Sequence, residues 1–183
     1  MIIATWNVNS IKVRLHAVLQ YLSEESPDVL VLQETKSIDD NFPLEAFTDI
    51  GYHVIFCGQK TYNGVAIISV LPAEDIHYNP VKTNENEMRS ISAVYAGIRI
   101  VNLYVVNGQN VDTPKYDYKI KWLKKLLAYS KKELSLNQNM LLLGDFNIAP
   151  TDDDVFDADV TKDEILCSDK ERDMLSKLLA LGF

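Results

Sequence analysis

Short apolar runs alternate along this chain with stretches of helical periodicity. Ile2–Trp6, Val29–Leu32 and Met140–Leu143 present no polar face to water and read as buried strands. Residues 52–57, 65–69, 91–95 and 98–104 are rich in Val, Ile and Tyr and read as further strands, with Ala96-Gly97 as a tight connection between the last two. After the first strand Ser10 is placed to cap a helix whose Ile11, Leu15, Val18, Leu19 and Leu22 form one stripe, and Pro27-Asp28 ends it, giving a β-α-β unit. Tyr116, Ile120, Leu123 and Leu127 align on one face of a helix from about Lys115 to Leu134. A last helix begins at the capping box Ser168–Glu171, buries Met174, Leu175, Leu178 and Leu179, and stops at Gly182. Apolar strands interspersed with amphipathic helices predict an α/β fold, a layered α/β sandwich with two facing β-sheets flanked by helices. With no internal repeat, low-complexity tract or linker, residues 1–183 read as a single domain.

Composition changes this picture little. The chain is 47% hydrophobic and 24% charged, an ordinary globular balance, and no run approaches the ~18 apolar residues of a membrane span. The amino terminus enters a strand directly without a basic and apolar leader, and Cys57 and Cys167 are isolated, so reduced thiols in a cytoplasmic protein are expected. A net charge of −8 argues against broad adhesion to nucleic acid. Its distribution is uneven: Lys115, Lys119, Lys121, Lys124, Lys125, Lys131 and Lys132 cluster against one Asp117, while Asp152, Asp153, Asp154, Asp157 and Asp159 crowd a later loop. That loop has Asp157 where a calcium-binding EF-hand loop needs glycine, so it is not read as a calcium site. Most of the lysines read as a solvated helix face.

The candidate chemistry lies at strand ends. The run 140–143 leads through Gly144, read as the break in the strand, to Asp145 and Asn147, whose alternation aims both side chains one way. Alone, these residues are also ordinary turn formers. The first run, however, ends at Asn7 and Asn9, and the second at Gln33 and Glu34. Three buried strands finishing in amide and carboxylate groups suit a site built at strand ends. Carboxylates and amides without clustered histidine or cysteine favour a hard cation, Mg2+ or Mn2+, over zinc.

Trp6-Asn7-Val8-Asn9-Ser10, Leu32-Gln33-Glu34-Thr35-Lys36, Tyr62-Asn63-Gly64-Val65-Ala66, Asn102-Leu103-Tyr104 and Gly144-Asp145-Phe146-Asn147-Ile148-Ala149-Pro150-Thr151-Asp152 occur in this order. In order and spacing the series resembles the exodeoxyribonuclease III family, Mg-dependent nucleases and abasic-site endonucleases of the endonuclease/exonuclease/phosphatase superfamily. The resemblance implies a 3′-5′ exonuclease and abasic-site endonuclease on double-stranded DNA, acting at abasic sites and 3′ ends, as a monomer and without a membrane partner. It implies Glu34 as metal ligand, with Asn7 orienting the metal or a phosphate oxygen. It implies Asn147 as hydrogen-bond donor to developing charge, Asp145 as the residue that positions water or handles the leaving-group proton, and Tyr104 as a contact to the scissile phosphate. Asn107 and Lys119 would support the DNA strand. Arg89 reads equally as a phosphate contact and as a surface arginine.

The chain departs from that pattern. Chains of the family continue beyond the position of Phe183 and carry there an Arg-Ile-Asp-like segment and a Ser-Asp-His segment with the catalytic histidine. Here the histidines are His16, His53 and His77, none directly after an aspartate, and all read as surface or packing residues with no Asp–His pair. Val106 and Val70 replace a proline and a basic residue common in the family. The expectation is a chain lacking the family's carboxyl-terminal part and impaired in hydrolysis. The alternatives are a catalytically dead fragment and a related phosphoesterase acting on inositol phosphates, sphingomyelin or RNA.

Overall fold

The computed structural model describes residues 1–83, 87–136 and 139–183. The chain groups into two compact units, one of Met1–Pro80, Glu85–Tyr104 and Asn139–Asp145, the other of Val81–Asn84, Val105–Gln138 and Phe146–Phe183.

The first unit holds β1 (Ile3–Asn7), α1 (Ile11–Glu25), β2 (Val29–Gln33), α2 (Leu44–Thr48), β3 (His53–Cys57), β4 (Val65–Ser69), β5 (Glu74–Tyr78), β6 (Ser90–Tyr95), β7 (Ile98–Tyr104) and a last strand, Met140–Asp145, numbered β8. They form two four-stranded sheets, ordered β1-β2-β4-β3 and β5-β6-β7-β8. Within them β1–β2 and β7–β8 are parallel and the other pairs antiparallel. The period of two along a strand explains why β2 is apolar from Val29 to Leu32 and β4 from Val65 to Ile68. Leu30, Leu32, Ala66 and Ile68 pack beneath Ile11, Val18 and Leu22 of α1 and Phe47 of α2. Their neighbours Val29, Val31, Val65 and Ile67 point the other way, onto Ile91, Ala93, Tyr95 and Ile100 of the second sheet. The expected α/β sandwich of facing sheets is therefore present. Asn102 crosses its interior: its Nδ2 donates to Leu32 O at 2.8 Å and Ala66 O at 2.9 Å, and its Oδ1 accepts from Gln33 Nε2 at 2.7 Å.

The second unit carries α3 (Pro114–Leu136), α4 (Ala158–Thr161) and α5 (Asp169–Leu179), with α3 against α5. The Ser168–Glu171 capping box forms as predicted: the Glu171 carboxylate accepts from Ser168 N at 3.2 Å and Ser168 Oγ at 2.6 Å. No helix among the described residues is long and apolar enough to cross a membrane.

Several expectations are corrected. Strand β5, Glu-Asp-Ile-His-Tyr, has no apolar pattern and is held at a sheet edge by pairing with β6. Ser10 makes no side-chain cap; it has φ 95° and α1 starts from main-chain bonds instead. Gly144 does not break its strand. With φ 133° it lets β8 run on to Asp145 pressed against β7, where a Cβ would lie 2.0 Å from Leu103 O. Strand β8 is half-buried rather than buried, and among the described strands it pairs with β7 alone. The buried face of α3 is rotated from the predicted stripe and consists of Tyr116, Lys119, Trp122, Leu123, Leu126, Ser130 and Glu133. In α5, Leu179 is 54% exposed and Glu171 takes the buried place.

Candidate active site

In the first unit the parallel pairings bring strand ends level. Asn7 sits opposite Gln33 on β1 and β2, and Tyr104 opposite Asp145 on β7 and β8. Glu34 follows Gln33 with φ 52°, a left-handed conformation that a side chain adopts only when its surroundings enforce it. The enforcement is visible in the main chain. Ser10 N donates to Glu34 O at 2.7 Å, Thr35 N to Gly64 O at 3.1 Å, and Lys36 N to Asn63 O at 2.9 Å. Gly64, at φ 88°, permits this closeness, since a Cβ there would fall 2.2 Å from Thr35 Oγ1. The Asn63-Gly64 motif therefore braces the turn that carries Glu34.

Asn7 joins two carboxylates. Its Nδ2 donates to Glu34 Oε1 at 2.9 Å and to Asp145 Oδ2 at 2.8 Å. Lys36 Nζ lies 2.9 Å from Glu34 Oε2 and also reaches Asn9 Oδ1. Burial pushes the Glu34 carboxyl up, but hydrogen bonds from Asn7, Lys36 and Tyr104 outweigh it and hold the group below the usual glutamate range. The Tyr104 phenol moves the other way. Burial raises it, and the neighbouring Glu34 charge and hydrogen bond raise it further, so it stays protonated at neutral pH. Two carboxylates within reach of one amide are a hard, oxygen-rich donor set that fits a hard divalent cation, which would compete with Lys36 for Glu34.

Arg89 is not a surface arginine. It is 9% exposed, and its guanidinium stacks 4.8 Å from the centre of the Tyr104 ring. Its Nη1 donates to Tyr104 O at 3.4 Å and its Nε pairs with Glu87.

In the second unit Asn107 and Asn147 lie together. Asn107 Nδ2 donates to Asn147 Oδ1 at 3.2 Å, and Asn147 Nδ2 to Val105 O at 2.9 Å, with Asn147 at φ 48°. Lys119 is fully buried, in contrast to the exposed Lys115, Lys121, Lys124, Lys125, Lys131 and Lys132. Its ammonium donates to Asn107 O at 3.1 Å and Asn147 O at 2.5 Å and pairs with buried Glu171. The contacts of Lys119, expected to support the DNA strand, are made inside the protein.

His16 and His53 are exposed, on α1 and at the start of β3. An Asp–His pair does exist, against expectation: His77 Nε2 lies 3.3 Å from Asp75 Oδ1. It belongs to β5, at the opposite edge of its sheet from the strand bearing Asp145. Sequence reasoning missed Lys36 and Glu171 as participants. Lys36 follows Glu34 by two positions, and Glu171 is the buried member of the capping box.

Residues 4–172 match the Endonuclease/Exonuclease/phosphatase family. The exodeoxyribonuclease III of Haemophilus influenzae is 30% identical over 157 residues, covering 82% of this chain and 59% of that protein. A DNA-(apurinic or apyrimidinic site) endonuclease of Dictyostelium discoideum is 30% identical, covering 100% of this chain and 52% of that protein. The chain therefore spans a little over half the length of these two relatives. Among solved structures, the 3′ phosphatase NExo from Neisseria, bound to a product DNA hairpin, is 43% identical with a TM-score of 0.97, covering 100% of this chain and 71% of its own. An AP endonuclease from Archaeoglobus fulgidus is 41% identical with a TM-score of 0.94, covering 100% and 72%.

Proposed function

The chain belongs to the endonuclease/exonuclease/phosphatase family, and from that premise we propose that it is a DNA repair nuclease hydrolysing phosphodiesters, a 3′-5′ exonuclease on duplex DNA and an endonuclease at abasic sites. The observation that carries this reading is the amide of Asn7 bridging Glu34 and Asp145, with Tyr104 hydrogen-bonded to the same Glu34. The exodeoxyribonuclease and abasic endonuclease relatives support DNA, rather than an inositol phosphate or a lipid head group, as the ester. An abasic nucleotide is cheap to extrude, having no base to unstack.

Glu34 and Asn7, with Asp145 beside them, would hold Mg2+, or Mn2+ in its place. When bound, that cation neutralises charge on the phosphate oxygens. Held ionised by three donors, Glu34 carries its charge at neutral pH. Tyr104, kept a neutral phenol, holds its one hydroxyl proton on Glu34 and would have to turn it to donate to the scissile phosphate, while Arg89 fixes the ring that carries it. Asp145 orients the attacking water or takes up the leaving-group proton. Asn147 donates to charge developing on the phosphate, with Asn107 holding its amide oxygen.

The test is to incubate the complete natural protein and Mg2+ with an abasic duplex, a blunt duplex and an inositol phosphate. Incision at the abasic site and shortening of 3′ ends are expected. Hydrolysis of the inositol phosphate with both duplexes intact would overturn the assignment.

A further inference from the structure

We propose that the buried Lys119–Glu171 pair is a positioning device that sets Asn107 and Asn147, rather than a contact to DNA. The proposal rests on the nuclease reading for what those asparagines do, and on the second unit alone for how they are held. An ammonium has three protons to donate. Here Asn107 O, Asn147 O and the Glu171 carboxylate accept from it, and Lys119 and Glu171 are both wholly inaccessible. The carbonyls it joins belong to the two residues whose side chains bond each other at 3.2 Å. One cation therefore fixes the main chain of both, including Asn147 in its left-handed conformation.

The pair is built in from both helices. The Lys119 stem passes beneath Gly108, where a Cβ would meet its Cδ at 3.0 Å and Ile165 Cδ1 at 2.9 Å. Only a residue without a side chain allows the loop to settle onto that stem, and Gly108 is at φ 90°. On the other side Glu171 accepts from Leu166 N at 3.2 Å and from both donors of Ser168, so one carboxylate caps α5 and anchors the lysine. Tyr116, a turn before Lys119 on α3, closes the ring through its hydroxyl, 2.5 Å from Ser168 Oγ. A surface lysine reaching for phosphate would need none of this. A charge with every proton committed inside the protein has none to give to a DNA strand.

The experiment uses the complete natural protein and a Lys119→Met/Glu171→Gln double variant, which removes both charges while the introduced carboxamide still accepts from Ser168 N. Amide exchange in residues 105–109 and 146–149 is expected to quicken tenfold or more while α3 and α5 keep their protection. Single-turnover kcat on an abasic duplex is expected to fall by about 10²-fold, the scale of a small misplacement of reacting groups, with KM within about twofold and the pH profile unmoved. A rise in KM at constant kcat would make Lys119 a DNA contact and overturn the proposal, as would unchanged exchange in both loops. The exchange arm reads the device even if the wild-type protein cleaves no DNA, which separates its failure from that of the nuclease reading. If the double variant does not fold, the wild-type protein carries the test by NMR. The Lys119 ammonium protons should be shielded from water and show coupling across hydrogen bonds to the Asn107 and Asn147 carbonyl carbons. Exchange as fast as that of an exposed lysine would refute it.

Discussion

Replacing Asn102 with leucine should destabilise the first unit far more than an isosteric change normally does. The residue is wholly buried and makes three hydrogen bonds: 2.8 Å to Leu32 O, 2.9 Å to Ala66 O and 2.7 Å from Gln33 Nε2. All three partners belong to the adjacent strands β2 and β4 of the first sheet, whereas Asn102 itself belongs to the second, so the side chain fixes one sheet on the other. Leucine fills the volume but satisfies none of these groups. Gln33 Nε2 keeps Thr5 Oγ1 at 3.0 Å, while both carbonyls lose a donor they had in the interior. At about 1 kcal/mol for each buried hydrogen bond, and more where a group is left unsatisfied, the loss is about 3–5 kcal/mol. The added apolar burial returns about 1 kcal/mol, leaving a net cost of about 2–4 kcal/mol. For a chain of this size that corresponds to a fall in Tm of about 4–16 °C. Equilibrium urea unfolding of the complete protein reads it directly as a lower midpoint at unchanged slope. A change below about 1 kcal/mol would show that the three bonds are replaced by water or relaxation and that the sheets need no polar fastening.

Gly144→Ala should cost about 3 kcal/mol or more, since the new methyl meets main chain at 2.0 Å and φ is 133°; near-wild-type thermal unfolding would contradict the close β7–β8 approach. The depressed Glu34 carboxyl implies a stabilising contribution that is fully present above the ordinary glutamate value and is lost as pH falls through the lower folded one. Unfolding free energy of wild type relative to Glu34→Gln, followed from pH 7 downward, should therefore hold steady and converge only in the acid range, and a gain of wild type over the variant as pH falls would reverse the sign. Among the described strands β1 and β8 each pair on one side only, and β8 is apolar and half-buried, so the 183-residue polypeptide purified alone should associate. A monodisperse monomer by light scattering with one cooperative unfolding transition would count against that.

Much of the fold was legible because burial on both faces leaves a direct mark. Strands β2 and β4 face α1 on one side and the second sheet on the other, so Val29–Leu32 and Val65–Ile68 carry no polar break. Strand β5 was illegible for the opposite reason: at an edge, pairing alone makes a strand and the side chains are free to be Glu, Asp and His. The site followed the same logic. Asn7, Glu34 and Asp145 stand out because each ends an apolar run, and the structure brings the three within hydrogen-bond distance. The burial of Lys119 was not legible, because composition counts a lysine as surface. Its place three residues from Tyr116 and four from Leu123 put it on the apolar stripe, and only the long-range partner Glu171 makes that tolerable. Arg89 carried no signal at all, since its stacking on Tyr104 joins residues fifteen apart across a sheet.

The most direct test of the central claim is a Mg2+ titration of single-turnover cleavage on an abasic duplex, comparing the complete protein with its Glu34→Ala variant. Wild type is expected to show steep Mg2+ dependence, and the variant to lose on the order of 10³-fold in rate, with what remains nearly insensitive to the cation. Full Mg2+-dependent cleavage by the variant would mean that the Asn7–Glu34–Asp145 cluster is not where the metal acts.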